Sequence, residues 1–235
     1  MMKFKKFSKK LTIFLFWLIL IISFIFFAVL LHLKARGFQL NFRTWKLVKT
    51  GLISLNGSPG RAEIKVNGKP HSFAMPTKIN NLPPGYYEVE ISAQGFQAWQ
   101  KSIYVLPEKA NIYQDIVLFL SVPQEVPVPK DLTTEMVRTG FTPDPSLVVK
   151  GEEIYFEERL ITRFSDSVQM AVLYPDRAHI VFQIGNEIRV IDLDGANDVL
   201  LVTLSTKELT VVAFRNNGKT MYFLDQGRVL GKTIR

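Results

Sequence analysis

The sequence predicts a mainly β protein held by one N-terminal transmembrane helix, with an antiparallel β-domain followed by a tail of repeated strands. Three observations carry this prediction. The run 11–31 has 21 residues and no charge. From Phe38 to Leu120 the apolar residues recur with a period of two. Residues 172–182 realign with 213–223 after a shift of 41 positions.

The apolar run LTIFLFWLILIISFIFFAVLL contains 17 Leu, Ile, Phe or Val among its 21 residues. A helix rises ~1.5 Å per residue, so this length spans the ~30 Å hydrocarbon layer once. A cleaved signal peptide usually has an apolar stretch of only about 7–15 residues ending in small residues. No Ala-x-Ala site follows here, and a soluble core helix is rarely apolar on every face. The predicted segments are therefore a basic cytoplasmic tail at 1–10 and a transmembrane helix at 11–33.

Charge places the partner of this end. The chain of 235 residues carries 29 Lys+Arg against 21 Asp+Glu, a net +8, but seven of the basic residues (Lys3, Lys5, Lys6, Lys9, Lys10, Lys34, Arg36) lie in the first 36 positions with no acid among them. The remainder holds 22 basic and 21 acidic residues, too balanced for a phosphate-binding surface, so no nucleic-acid partner is expected. The lipid bilayer is the expected partner. Five Lys precede the span, and five basic residues follow it (Lys34, Arg36, Arg43, Lys46, Lys49). A short, dense N-terminal tail outweighs charges on a large following domain, which predicts a single-pass cell-membrane protein with its N-terminus cytoplasmic and its C-terminal domains extracytoplasmic.

In the β-domain, placed at 38–120, Ala62, Ile64 and Val66 alternate with Glu63 and Lys65 and end at Asn67-Gly68. That dipeptide accepts the positive φ angles of a two-residue hairpin turn. After Pro83-Pro84-Gly85, Tyr87, Val89 and Ile91 alternate with Glu88, Glu90 and Ser92, so one face can be buried. Gln94-Gly95 breaks the run. Phe96–Val105 and Ile112–Leu120 supply two more strands, the second nearly continuous in apolar residues and therefore predicted to be central.

The stretch Ser58-Pro59-Gly60-Arg61-Ala62-Glu63-Ile64, the turn Asn67-Gly68, then Leu82-Pro83-Pro84-Gly85-Tyr86 and Gly95-Phe96 resemble a PEGA domain over roughly residues 50–120. The name-giving Pro-Glu-Gly-Ala motif is replaced by Pro59-Gly60-Arg61-Ala62, while the hairpin, the Pro-Gly-Tyr strand start and the Gly-aromatic corner match. The resemblance implies a small β-sandwich of the kind common in prokaryotic surface proteins, with no catalytic residues.

Tyr86, Tyr87, Phe96, Trp99 and Tyr104 admit two readings. Tyr86, Trp99 and Tyr104 could form a ligand-stacking platform for sugar rings. Strand aromatics more often fill the space between packed sheets, each burying ~150–250 Å², and that reading is preferred.

Ser121–Lys130 holds three prolines in ten residues, which predicts an extended, stiff spacer. The linker with its following irregular segment is placed at 121–145. The tail, 146–235, holds the repeat: Tyr174-Pro175-Asp176-Arg177 and Arg215-Asn216-Asn217-Gly218 are equivalent turns, as are Gly185-Asn186 and Gln226-Gly227. A period of about 40–45 residues with several strands is that of propeller blades, and the Tyr-Pro-Asp-Arg turn with Asn186–Asp192 resembles TolB-like propellers. An earlier partial match is Gly151-Glu152-Glu153-Ile154 before Leu160–Phe164. Some 90 residues give about two blades, whereas closed rings use about four to eight. The predicted tail is thus an incomplete β-propeller-like region whose sheets pack on each other, on the first domain, or on other chains, and whose edge strands need protection.

Catalytic chemistry is sparse. The absence of Cys excludes disulfides, thiolate zinc sites and a cysteine nucleophile. His32, His71 and His179 show no metal-ligand spacing, and none is expected to bind metal or act as a base. Asp192–Asp198 has the oxygen-rich look of a calcium loop but lacks a closing Glu, so it reads as a turn. Glu152, Glu153, Glu157 and Glu158 read as a solvated face. No phosphate loop, Gly-x-Ser-x-Gly elbow or dinucleotide fingerprint occurs.

The expectation is a non-enzymatic membrane-anchored extracytoplasmic protein without catalytic residues, cofactor or metal, acting as a structural tether or interaction scaffold of the prokaryotic cell envelope. Its further partner would be an envelope polymer or protein. The alternatives are an envelope polysaccharide-binding surface protein, and a hydrolase built from Asp192, Asp194 and the Glu cluster. Oligomeric state is left open by the sequence.

Overall fold

The computed structural model describes residues 9–41, 46–139 and 144–235. The tail at 1–8 and Arg43, both used in the orientation argument, lie outside the described residues. The chain forms two compact units, Met1–Ile53 with Lys78–Tyr86 and Tyr104–Asn111, and Ser54–Thr77 with Tyr87–Ile103 and Ile112–Arg235.

The first unit begins with α1, Lys9–Ala35. Its segment Ile13–Ala35 has 23 residues, a mean hydropathy of 3.1 and no buried share, so it is long and apolar enough to cross a membrane. Gly37 stops it. With φ +77° Gly37 takes the left-handed conformation that closes a helix, and its N–H donates to Lys34 O at 3.0 Å. The chain turns at once into a hairpin of β1 (Phe38–Asn41) and β2 (Lys46–Lys49), paired antiparallel with Phe38 opposite Lys49 and Leu40 opposite Leu47. Thr50 closes its base, both its N–H and its hydroxyl donating to Gly37 O at 2.9 Å.

Next come β3 (Gly51–Ser58), β4 (Glu63–Val66), β5 (Lys69–Ser72), β6 (Thr77–Leu82), β7 (Gly85–Ser92), β8 (Trp99–Val105) and β9 (Ala110–Val117). They form two sheets, ordered β6-β3-β9 and β5-β4-β7-β8. In the first unit Ile53, Ile79 and Val105 are buried. In the second, Leu55, Ile64, Val89, Ile91 and Ile103 are the inward members of the alternating runs. The β4–β5 turn is where it was predicted, with Asn67 at φ +49° and Gly68 at +73°.

One expectation is overturned: β3, not the Ile112–Leu120 segment, is the middle strand, and β9 lies at the sheet edge. The apolar run Ile116–Phe119 is buried for another reason. Val117 and Phe119 belong to the hydrophobic cluster of the tail, alongside Tyr174, Val190, Met221 and Phe223. The run thus marks where the chain passes into a second core.

The tail contains β10 (Gln124–Glu125), α2 (Thr134–Thr139), β11 (Leu147–Lys150), β12 (Glu153–Phe156), β13 (Arg159–Arg163), β14 (Val168–Leu173), β15 (His179–Ile184), β16 (Glu187–Asp192), β17 (Val199–Thr203), β18 (Val212–Arg215), β19 (Thr220–Asp225) and β20 (Arg228–Thr233). Three sheets result: β11-β12-β13, β14-β15-β16-β17 and β10-β20-β19-β18. The repeat has a structural counterpart in β14–β15–β16 and β18–β19–β20, each a strand-turn-strand-turn-strand unit. The last two sheets share one core, so they pack on each other. No closed barrel or ring is formed by the described residues.

The Pro-rich segment is extended but is not a free spacer. Gln124 and Glu125 pair with Thr233 and Lys232, making β10 the outer strand of the last sheet. Val126 and Val128 pack with Leu132, Val137 of α2 and Tyr222. An extended strand without its own side-chain period is free to complete a foreign sheet edge, which would otherwise stay open.

The two equivalent turns of the repeat touch. The hydroxyl of buried Tyr174 donates to Gly218 O at 2.8 Å, and Gly218, at φ +84°, has no room for a Cβ, which would lie 2.3 Å from that hydroxyl oxygen. Burial pushes the Tyr174 phenol up to about 12.

Candidate functional site

Two groups of side chains stand out, one in each unit. In the second unit, β8 brings Trp99, Gln100 and Lys101 against the turn that follows β16. The indole N–H of Trp99 donates to Asp192 Oδ2 at 3.0 Å, and Asn197 Nδ2 donates to the same oxygen at 2.9 Å. The Gln100 N–H donates to Asn197 Oδ1 at 2.8 Å. Lys101 Nζ reaches Asp192 Oδ2 at 3.8 Å, pairs with Asp194, and sits 5.4 and 5.2 Å from the ring centroids of Trp99 and Tyr113. The two rings meet edge to face at 5.8 Å.

Behind Asp192 stands His179, 3% exposed. Its Nδ1 lies 2.8 Å from Asp176 Oδ2 and its Nε2 3.3 Å from Asp192 Oδ1. Phe119 and Tyr174 stand edge-on to the imidazole at 5.6 and 6.0 Å. Burial alone would lower the His179 pKa, but hydrogen bonds to two carboxylates and their charges outweigh it and push it up to about 9. At neutral pH it is an imidazolium donating from both nitrogens. Burial opposes ionisation of Asp192 as well, yet the hydrogen bond and charge of His179 hold its carboxyl below the usual range.

An open cleft of about 280 Å³ borders this group, with Trp99, Tyr113, Arg159, His179 and Asp194 in its lining. Its polar groups already serve one another. Both Asp192 oxygens are occupied, one by Trp99 and Asn197 and the other by His179. The Asp192–Asp198 stretch is a turn, as expected: Gly195 N–H donates to Asp192 O at 2.9 Å, Asp192 N–H to Ala196 O at 2.9 Å, and Gly195 has φ +81°. Glu153 binds Tyr155 (2.7 Å) and Arg163 (Nε, 2.7 Å), so its contacts lie apart from those of Asp192 and Asp194. The arrangement clamps the β8 edge to the tail by charge and hydrogen bonding.

Of the candidate stacking residues, Trp99 takes the preferred, interior role. At 4% exposure, with its N–H spent on Asp192, it cannot offer a ring to a sugar. Tyr86 and Tyr104, in the first unit, are 73% and 48% exposed, with centroids 4.7 Å apart and planes at 56°. They are the exposed aromatic pair of the described strands. The link of His179 to Asp192 has no trace in the local sequence, because Asp192 lies on another strand. The Asp176-x-x-His179 spacing was the one local signal, and Asp192 joins only through the register of β15 with β16, where His179 faces Asp192.

Residues 50–117 match the PEGA domain family. No curated protein matches the chain.

Proposed function

We propose that this chain is a non-enzymatic, single-pass membrane protein that holds β-modules outside the cell as a structural tether or interaction scaffold of the prokaryotic envelope. The observation that carries the reading is the apolar helix Ile13–Ala35, which buries none of its apolar window and is joined within two residues to the first strand. Apolar area of that extent is costly in water and favoured in lipid. The PEGA match at 50–117 supports an extracellular binding or tether module. The tail then reads as a shortened propeller-like array whose sheets pack on one another, with its acidic turn committed to the clamp on β8 rather than to chemistry. Full-length protein should resist carbonate extraction, and a chain lacking residues 1–35 should appear in the soluble fraction. A reporter fused after Arg235 should be active outside the cytoplasm. Release of the full chain by carbonate would refute the anchor, and a cytosol-only reporter would refute the display.

A second reading is favoured by the exposed Tyr86–Tyr104 pair, namely recognition of an envelope polysaccharide by ring stacking. Tyr86→Ala with Tyr104→Ala should abolish retention on purified cell-wall polysaccharide while leaving the melting temperature unchanged. Equal retention of both proteins would remove this reading.

A further inference from the structure

The hairpin that follows α1 has features its role as a connector does not require. It is a two-stranded sheet, β1–β2, joined to no third strand among the described residues. Such a sheet is marginal in water unless something else supports it. The cap at Gly37 leaves no linker between helix and hairpin, so Phe38 stands about 7–10 Å of chain from the end of the span. A membrane-crossing α1 therefore fixes β1–β2 at the lipid surface.

The charges there are one-sided. Five Lys or Arg and no Asp or Glu lie between the end of the apolar run and Ile53, and the first acid of the chain is Glu63. Lys49 is paired with Glu108 at 2.6 Å and lies 5.5 Å from the Phe38 ring centroid. Lys34, Arg36 and Lys46 are exposed, and none has a carboxylate partner among the described residues. Leu47, also exposed, lies on the strand beside them. Unpaired cations beside a hydrophobic span, mixed with apolar side chains, suit the headgroup layer, where an anionic surface attracts each nearby Lys or Arg.

We infer that the β1–β2 hairpin is a membrane-surface element that binds anionic phospholipid headgroups through Lys34, Arg36 and Lys46. The inference rests on the anchor reading. Covalent continuity with the span favours lipid over any soluble anion as the occupant. Binding should weaken as salt rises, because the contact is exposed.

The test uses the full chain in nanodiscs of phosphatidylcholine alone or mixed equally with phosphatidylglycerol, read by hydrogen exchange of the amides of β1 and β2. Exchange should be at least about tenfold slower in the anionic discs, and the variant Lys34→Gln, Arg36→Gln, Lys46→Gln should lose that difference while matching wild type in neutral discs. Equal rates for wild type in both lipids would overturn the inference. So would a variant that exchanges faster than wild type even in neutral discs, since the charges would then be holding the hairpin itself. Failure of the chain to incorporate into either disc would instead strike at the anchor, as would carbonate release.

Discussion

Trp99 Nε1 donates to Asp192 Oδ2 across 3.0 Å, joining residues 93 positions apart in sequence and binding the last strand of the PEGA-matched region's second sheet to the tail. Trp99→Phe keeps most of the packing but removes a donor from a charged acceptor, an interaction worth roughly 1.5–3 kcal/mol. Urea unfolding should show a loss of about that size. Trp99→Ala should cost more, about 3–5 kcal/mol, because a cavity is added. A change below about 0.5 kcal/mol for the Phe variant would mean that the bond is not formed.

The His179 clamp gives a pH signature. The folded pKa, about 9, exceeds the ordinary 6.5, so its contribution is fully present below about 6.5 and is lost as pH rises through about 9. Stability should fall by a few kcal/mol across that window, and His179→Gln should flatten the curve. Titration of the imidazole by NMR checks the premise, and a midpoint near 6.5 would remove it. Asp192 works from the other side. Its folded pKa is depressed, so its share is present above the ordinary carboxylate range and disappears as pH falls through the lowered value.

The Tyr174–Gly218 contact predicts a large difference between two small substitutions. Tyr174→Phe deletes one hydrogen bond and leaves a carbonyl short of a donor, for about 1–2 kcal/mol. Gly218→Ala must place a methyl 2.3 Å from the Tyr174 hydroxyl oxygen at φ +84°, which combines a clash with backbone strain. Its melting temperature should fall well below that of Tyr174→Phe. Equal values would show that the turn relaxes freely.

Because β10 and the buried Val117 and Phe119 belong to the tail's sheets and core, a chain cut at Lys130 should not yield an independently folded tail. Residues 131–235 should lack cooperative unfolding, whereas 37–235 should retain it. Near-ultraviolet circular dichroism distinguishes the two. A cooperative transition in the short piece would show that β10 is dispensable.

Local chemistry was legible in the sequence. The long apolar helix follows from composition, the Asn67-Gly68 turn from the φ angles those two residues tolerate, and the repeat from self-similarity. What was not legible depended on distant partners. The apolar run Ile116–Phe119 has the pattern of a central strand because burial by a second core leaves the same trace as burial on both sheet faces. The Pro-rich segment reads as a spacer because its pairing partner, β20, lies more than a hundred residues onward. At the site, the Asp192 turn was identified but its ligands were not. Trp99 carries the same letters whether its ring faces solvent or a carboxylate, and only the fold decides.

The route of the chain through the tail has one more consequence. Leu120 N–H donates to Ile234 O at 2.8 Å, and Val126 N–H to Gly231 O at 3.0 Å, so the polypeptide returns to the place from which it set out. The tail is a closed circuit fastened at its own doorway. A protease nick at an exposed bend such as Glu157-Glu158 would leave two fragments still gripping each other.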